Sequence, residues 1–284
     1  MGAAYLIGLR EGIEAALIIS ILLAYLRQLG RSDRAPLIWW GTAIALALSV
    51  GVGAIIFAVG AEFEGRAEEL YEGLVTLFAV SVLTWMIFWM RRESVRIKSH
   101  LQERVDVALR AGGLALAGLA FFAVLREGIE TALFLFGADR AAAEGTSGTL
   151  TGLVGGFLGI ATAAVLGFLL YRGGIRLNLR IFFRVTGILI LIVAAGLFAF
   201  SVHELQEAGL LPFLEGTAYD ISGSLPDDSG VGALLRALVG YNADPTVLEV
   251  LAWAAYLLVA GWYFLRPVRV PAPAPASVPA SSAR

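Results

Sequence analysis

The chain has 284 residues, of which 58% are hydrophobic and 15% are charged, and its formal net charge is −2. Soluble proteins contain about 45–50% apolar and about 25% charged residues, so this composition predicts an integral membrane protein. The absence of cysteine excludes disulfides and thiolate metal sites, and the absence of a basic domain excludes nucleic acid as a partner.

Seven segments are long and apolar enough to cross a bilayer, which takes roughly 20 residues per helix. They are Ala3 to Leu26, Leu37 to Val59, Leu70 to Met90, Ala111 to Gly137, Leu150 to Tyr171, Phe182 to Val202 and Val247 to Leu265. Because the backbone must satisfy its own hydrogen bonds in lipid, segments of this length are helices. The sequence therefore predicts an all-α, polytopic membrane protein with seven transmembrane helices in one domain, residues 1–266.

Lysine and arginine are concentrated in every second connection between these segments. Six basic residues lie in the connection 91–110, and more follow the first, fifth and seventh segments. The alternate connections contain only Arg66, Arg140 and Arg236. The positive-inside rule therefore places the N-terminus outside and the C-terminus inside. Residues 267–284 are rich in Pro and Ala, which predicts a disordered cytoplasmic tail.

The connections assigned to the outside are acidic. Glu68, Glu69 and Glu72 lie around the second connection, and His203 and Glu204 lie at the end of the sixth segment. Such acidity has two interpretations, a solvated rim or a mouth that concentrates cations. Under the second, these five side chains are candidate outer ligands for an ion. For Glu72 the other interpretation is a solvated helix end.

One charged hexapeptide occurs twice inside the apolar segments. Leu-Arg-Glu-Gly-Ile-Glu fills positions 9–14 of the first segment and 125–130 of the fourth. A charged residue at the bilayer centre costs ~2.5–3.5 kcal/mol even on the lenient insertion scale, so these side chains must face each other, a cavity or an ion. At about 100° per residue, the Arg and both Glu of each copy share one side of the helix. Gly12 and Gly128 lie opposite, where a neighbouring helix can approach closely.

The two copies together present four carboxylates, Glu11, Glu14, Glu127 and Glu130, and two guanidinium groups. Their charges sum to −2, which a divalent cation would neutralise. Carboxylate oxygens without Cys or His favour hard cations such as calcium, magnesium, manganese or iron.

A purely structural alternative is a salt-bridge network that only holds the first and fourth segments together. It would consist of the pairs Arg10–Glu14 and Arg126–Glu130, each four residues apart. This network would leave the other two motif carboxylates without a partner inside the membrane.

The two copies lie on the first and fourth segments, an offset of three, which is an odd number, so the halves of the chain run in opposite directions across the membrane. Repeat one covers about residues 3–90, repeat two about 111–206, and the seventh helix, about 247–265, lies outside the repeat. Two inverted three-helix repeats are typical of transporters that bind substrate at the repeat interface. The residues alone thus indicate a carrier or channel for a hard cation.

The doubled motif on the first and fourth segments resembles the high-affinity iron permease family, which includes fungal oxidase-coupled permeases and bacterial permeases of the EfeU kind. Its motif is Arg-Glu-x-x-Glu, usually with Gly-Leu inside, and Ile13 and Ile129 replace the Leu here. The stretches 69–73, 85–90 and 203–209 resemble the family as well.

This resemblance implies iron import across the plasma (inner) membrane, with iron as the substrate and no permanently bound cofactor. It implies that Glu11, Glu14, Glu127 and Glu130 take the metal; we assign Arg10 and Arg126 to charge balance. It also implies an extracytoplasmic oxidase, peroxidase or iron-binding partner. No nucleophile–base pair or cofactor motif points to an enzyme.

Two other functions fit the same residues. One is transport of another divalent metal, such as manganese or lead. The other is a membrane scaffold that docks a periplasmic redox enzyme.

Overall fold

The computed structural model describes residues 2–93, 97–142, 146–172 and 178–266. Within these ranges the chain is helical, and the prediction of an all-α fold is confirmed. The helices are α1 (Gly2–Gln28), α2 (Ala35–Glu62), α3 (Arg66–Glu93), α4 (Ile97–Ala111), α5 (Gly113–Ala142), α6 (Thr146–Tyr171), α7 (Leu179–Glu207), α8 (Gly230–Val239) and α9 (Val247–Leu265). The predicted tail, 267–284, lies outside the described residues.

Five helical segments are long and apolar enough to cross a membrane. They are Ser32–Glu62, Arg66–Arg91, Leu150–Tyr171, Ile181–Glu207 and Val247–Leu265. They match five of the predicted segments and make the chain a candidate multi-pass membrane protein. The other two predicted segments correspond to α1 and α5, which have similar length but carry the charged motifs.

The long helices pack in a regular order. Helix α1 packs along α6, α2 along α5, and α3 along α7, while α1 also contacts α5. If α1, α2 and α3 are exchanged with α5, α6 and α7, respectively, the α1–α6 pair becomes the α5–α2 pair. The pairs α3–α7 and α1–α5 are unchanged by the exchange. Helix α9 adds to this arrangement by packing on α7.

The motif glycines lie where neighbouring helices approach closely, as predicted. A Cβ atom at Gly12 would lie 2.7 Å from Cβ of Ala163 on α6, and one at Gly128 would overlap the side chain of Ser49 on α2. Small residues at such crossings let two backbones approach, which is how helices associate without a hydrophobic driving force. The charged side of each motif helix is thereby left to face the other motif.

Two shorter helices lie in connections for which no helix was predicted. Helix α4 buries Leu101, Val105 and Ala108 against a cluster that includes Leu22 and Leu26 of α1. These three residues have the i, i+4, i+7 spacing of an amphipathic helix, which was the available sequence signal. Helix α8 packs on α7 and ends at Gly240, whose positive φ of 70° suits glycine.

We expect Gly12→Leu to destabilise the bundle, because the added side chain must push α6 away from α1. Overpacking of this kind costs roughly 1–3 kcal/mol. The matched control is Gly118→Leu on α5, where no atom lies within 4 Å of an added Cβ. Thermal unfolding in detergent should give a lower Tm for the first variant only. Equal Tm values would contradict the close approach of α1 and α6.

Candidate metal centre

The two motifs meet where α1 packs against α5. Carboxylate oxygens of Glu11, Glu14 and Glu127 lie within 4.8 Å of one another. Oxygen ligands bind hard divalent cations at about 2.0–2.6 Å, so oxygens up to about 5 Å apart can contact one ion. These are the residues among the described ranges that form a group of three such ligands. Glu130, which the sequence places with them, does not join the group.

All four motif carboxylates are removed from solvent. The exposed fractions are 1% for Glu11, 3% for Glu14, 5% for Glu127 and 8% for Glu130. Burying an ionised carboxylate is costly unless it is paired or coordinates a metal. The environment of each oxygen therefore decides what the cluster can do.

In the first motif, Arg10 is shared between both carboxylates. One of its guanidinium nitrogens lies 2.9 Å from Oε1 of Glu11, and the other lies 3.1 Å from Oε1 of Glu14. Nη1 also contacts the Met86 sulfur at 3.4 Å. The expectation that a salt-bridge network would leave Glu11 without a partner is wrong, because the adjacent Arg10 reaches it.

In the second motif, Arg126 is bound differently. Its Nε donates to Oε1 of Glu130 at 2.8 Å, and its guanidinium lies 4.8 Å from the Trp89 ring centroid and 5.7 Å from that of Trp85. Stacking of this kind stabilises a cation through the negative face of the ring. The sequence did not predict contacts for either tryptophan; their four-residue spacing on α3 was the available signal.

One oxygen of every motif carboxylate lacks a hydrogen-bond donor among the described residues. These buried atoms are Oε2 of Glu11, Oε1 of Glu14, Oε2 of Glu127 and Oε2 of Glu130. The Glu14 oxygen lies near Arg10 as an ion pair without hydrogen-bond geometry. Buried acceptors are nearly always satisfied in proteins, so four exceptions in one place call for a ligand. A hard cation is the chemical species that such oxygens fit.

Three of the outer candidate ligands, Glu68, Glu72 and His203, contact a charged side chain. Glu72 is only 7% exposed, so the expectation of a solvated helix end is wrong, and Arg140 binds it at 2.5 Å. The same Arg140 nitrogen lies 3.6 Å from Glu68. On α7, Nδ1 of His203 lies 2.9 Å from Oε1 of Glu249.

The remaining outer candidates are Glu69 on α3 and Glu204 on α7. Glu204 interacts electrostatically with Glu72 and with Glu69, so α3 and α7 bring their acidic residues to the same end of the bundle. Glu249, which the sequence did not predict as a partner of His203, is held by the amide of Asn242 and by its own capping box with Thr246.

A cavity of about 390 Å³ reaches the motif cluster from the side of α4. Two of the motif carboxylates, Glu14 and Glu127, line it together with Arg126 and Trp89. The cluster is therefore buried from bulk solvent but borders an internal space on one side.

Comparison with known proteins agrees with the resemblance carried by the doubled motif. The sequence model of the iron permease FTR1 family matches residues 1–272. The ferrous iron permease EfeU of Escherichia coli O6:K15:H31 (strain 536 / UPEC) is 45% identical over 277 residues, which is 96% of this chain and 99% of that protein. The ferrous iron permease EfeU of Yersinia pestis is 38% identical over 268 residues, or 93% of each chain. No solved structure matches this chain.

These matches extend over almost the whole sequence, including both motif helices and every other helix described above. The chain therefore belongs to the iron permease FTR1 family.

Proposed function

We propose that this protein imports iron across the plasma (inner) membrane, with iron as its substrate and no enzymatic activity. The observation that carries the proposal is a set of four buried carboxylate oxygens that have no hydrogen-bond donor in the described part of the chain, one from each of Glu11, Glu14, Glu127 and Glu130. The family membership and the names of the relatives support iron as the ion. No permanently bound cofactor is part of the proposal.

Charge balance explains why two arginines accompany the glutamates. Four carboxylates alone would carry −4, and Arg10 and Arg126 reduce the sum to −2, which a divalent ion neutralises. Arg10 holds the first motif in place, since it is 2% exposed and contacts both of its carboxylates. We assign it to orienting the ligands as well as to balancing charge.

The proposed membrane arrangement has seven transmembrane helices, with α1 and α5 added to the five apolar segments. The helix pairing supports two inverted repeats, about 3–90 and 111–206, because it is unchanged when α1–α3 are exchanged with α5–α7. Helix α9, about 247–265, lies outside the repeats in the domain 1–266. The proposed orientation has the N-terminus outside and the C-terminus, with the tail 267–284, inside, and the basic connections support it.

Iron would approach from the acidic end of the bundle. Glu68, Glu69, Glu72, His203 and Glu204 are the proposed outer ligands. Glu72 and Glu204 lie near enough for their negative charges to repel each other, and a cation between them would relieve that repulsion. An extracytoplasmic oxidase, peroxidase or iron-binding protein would deliver the ion to this end.

Transport of manganese or lead, and a scaffold that docks a periplasmic enzyme, are the competing functions. The ligand set is common to hard divalent metals, so a competition assay among metals is needed to distinguish iron transport from transport of manganese or lead. The scaffold predicts that substituting the carboxylates changes stability and not metal affinity.

Glu14→Gln and Glu127→Gln should each lower iron uptake at least about tenfold, because even outer-shell partners of metal ligands have effects of this size. The measurement is uptake of radioactive iron into proteoliposomes. Glu103→Gln, at an exposed position on α4, is the matched control. Wild-type uptake by inserted Glu14→Gln protein would refute the proposed site.

Arg10→Gln should destabilise the protein by about 3–5 kcal/mol, because it leaves two buried carboxylates without their cation. The cluster then carries about −3, so added Mn²⁺, an air-stable substitute for ferrous iron, should raise the Tm of this variant more than that of the wild type. Arg27→Gln, at the exposed end of α1, should behave like the wild type. If Mn²⁺ leaves the Tm of Arg10→Gln unchanged, the buried oxygens do not bind metal.

A further inference from the structure

The cavity beside the motif cluster contains arginines that are unexpected for a cation pathway. Glu14, Glu127 and Arg126 of the motif helices line it, and so do His100 and Arg104 of α4. A bare cation that leaves the two carboxylates on this side approaches two guanidinium groups. Like charges repel strongly in a partly buried space, so the cation alone has no favourable next position there.

The cavity has the features of a site for a small anion. Its volume of about 390 Å³ lies in the range of small-molecule pockets, about 300–1,000 Å³. Guanidinium groups bind carboxylate and phosphate through paired hydrogen bonds. Arg126 lines the cavity and its side chain is 35% exposed, while its buried Nη2 has no hydrogen-bond partner among the described residues.

Helix α4 is a fixed wall of this cavity. Tyr25 of α1 donates to the Asp106 carboxylate at 2.9 Å, and Leu101 and Val105 are buried on the same helix. His100 and Arg104 themselves are exposed to solvent, so a soluble molecule can reach them. Their placement next to the cavity is thus set by packing of α4 against α1.

We propose that this cavity binds a small soluble anion with several carboxylate or phosphate groups, which receives the metal ion from Glu14 and Glu127. Arg104 and Arg126 hold the anion, and its oxygens replace those of the two glutamates on the metal. The exchange breaks metal–oxygen bonds to the protein and forms metal–oxygen bonds to the anion, without electron transfer. Under the proposed orientation this is the cytoplasmic side. The handover step rests on the proposed function, whereas anion binding does not.

Citrate is the probe, and binding is measured by calorimetry without metal, using the full chain in discs of neutral phospholipid. We expect wild-type protein to bind citrate and Arg104→Gln to bind it roughly tenfold more weakly, since one charge-assisted contact is lost. Arg110→Gln is the control, because this exposed arginine on the same helix does not line the cavity. Equal citrate affinity in all three proteins, or no binding to the wild type, overturns the proposal.

Anionic discs distinguish a soluble anion from a lipid headgroup. If phosphatidylglycerol abolishes citrate binding to the wild type, the site belongs to headgroup phosphate and the assignment to a soluble anion is overturned. If citrate still binds in these discs, the assignment to a soluble anion is supported.

The handover is tested in proteoliposomes with citrate inside. Internal citrate should accelerate iron uptake more than a dextran-linked carboxylate that is too large for the cavity, and Arg104→Gln should abolish that difference. Equal acceleration by both chelators overturns the handover. Failure of the metal site would appear instead as normal uptake by Glu14→Gln, and would leave the citrate result intact.

Discussion

The structure depends on how four buried carboxylates are tolerated where α1 meets α5. Arg10 contacts two of them and Arg126 a third, yet each of the four keeps one oxygen without a hydrogen-bond donor in the described part of the chain. Ion pairs and metal coordination therefore do not compete for every atom. The guanidinium groups balance part of the negative charge and orient the side chains. The donor-free oxygens of Glu11, Glu127 and Glu130 are available to a cation, whereas that of Glu14 also forms the ion pair with Arg10. A salt-bridge network and a metal site are thus compatible functions of one cluster.

Identical hexapeptides occupy different environments. Arg10 is almost completely buried between two carboxylates, whereas the side chain of Arg126 is 35% exposed, stacks on Trp89 and borders the cavity. Arg126 is more exposed than Arg10 because it borders the cavity next to α4. Repeated sequence therefore gives two ligand pairs in unequal surroundings, and one carboxylate of each pair, Glu14 and Glu127, lines the cavity where release is proposed.

The sequence predicted the helical class, the apolar segments and the side of each helix that the charged residues share. It could do so because the cost of burying charge and the 3.6-residue period are local properties. The close packing at Gly12 and Gly128 was predictable for the same reason. Other features depend on which helices become neighbours. Nothing local indicates that Arg140 reaches Glu72 or that Met86 lies against Arg10, since each pair is separated by more than sixty residues.

A site that binds a multivalent cation strongly enough to remove its hydration water must also be able to release it. Conduction requires binding that is favourable at arrival and readily reversed at departure. Here the two ends of the bundle differ in sign: acidic residues of α3 and α7 lie at one end, and arginines line the cavity at the other. Positive charge beside Glu14 and Glu127 weakens the hold of these ligands on a cation, and an anion between the arginines offers the cation new oxygens. The same guanidinium groups that make the buried carboxylates tolerable can in this way limit how tightly they keep the ion.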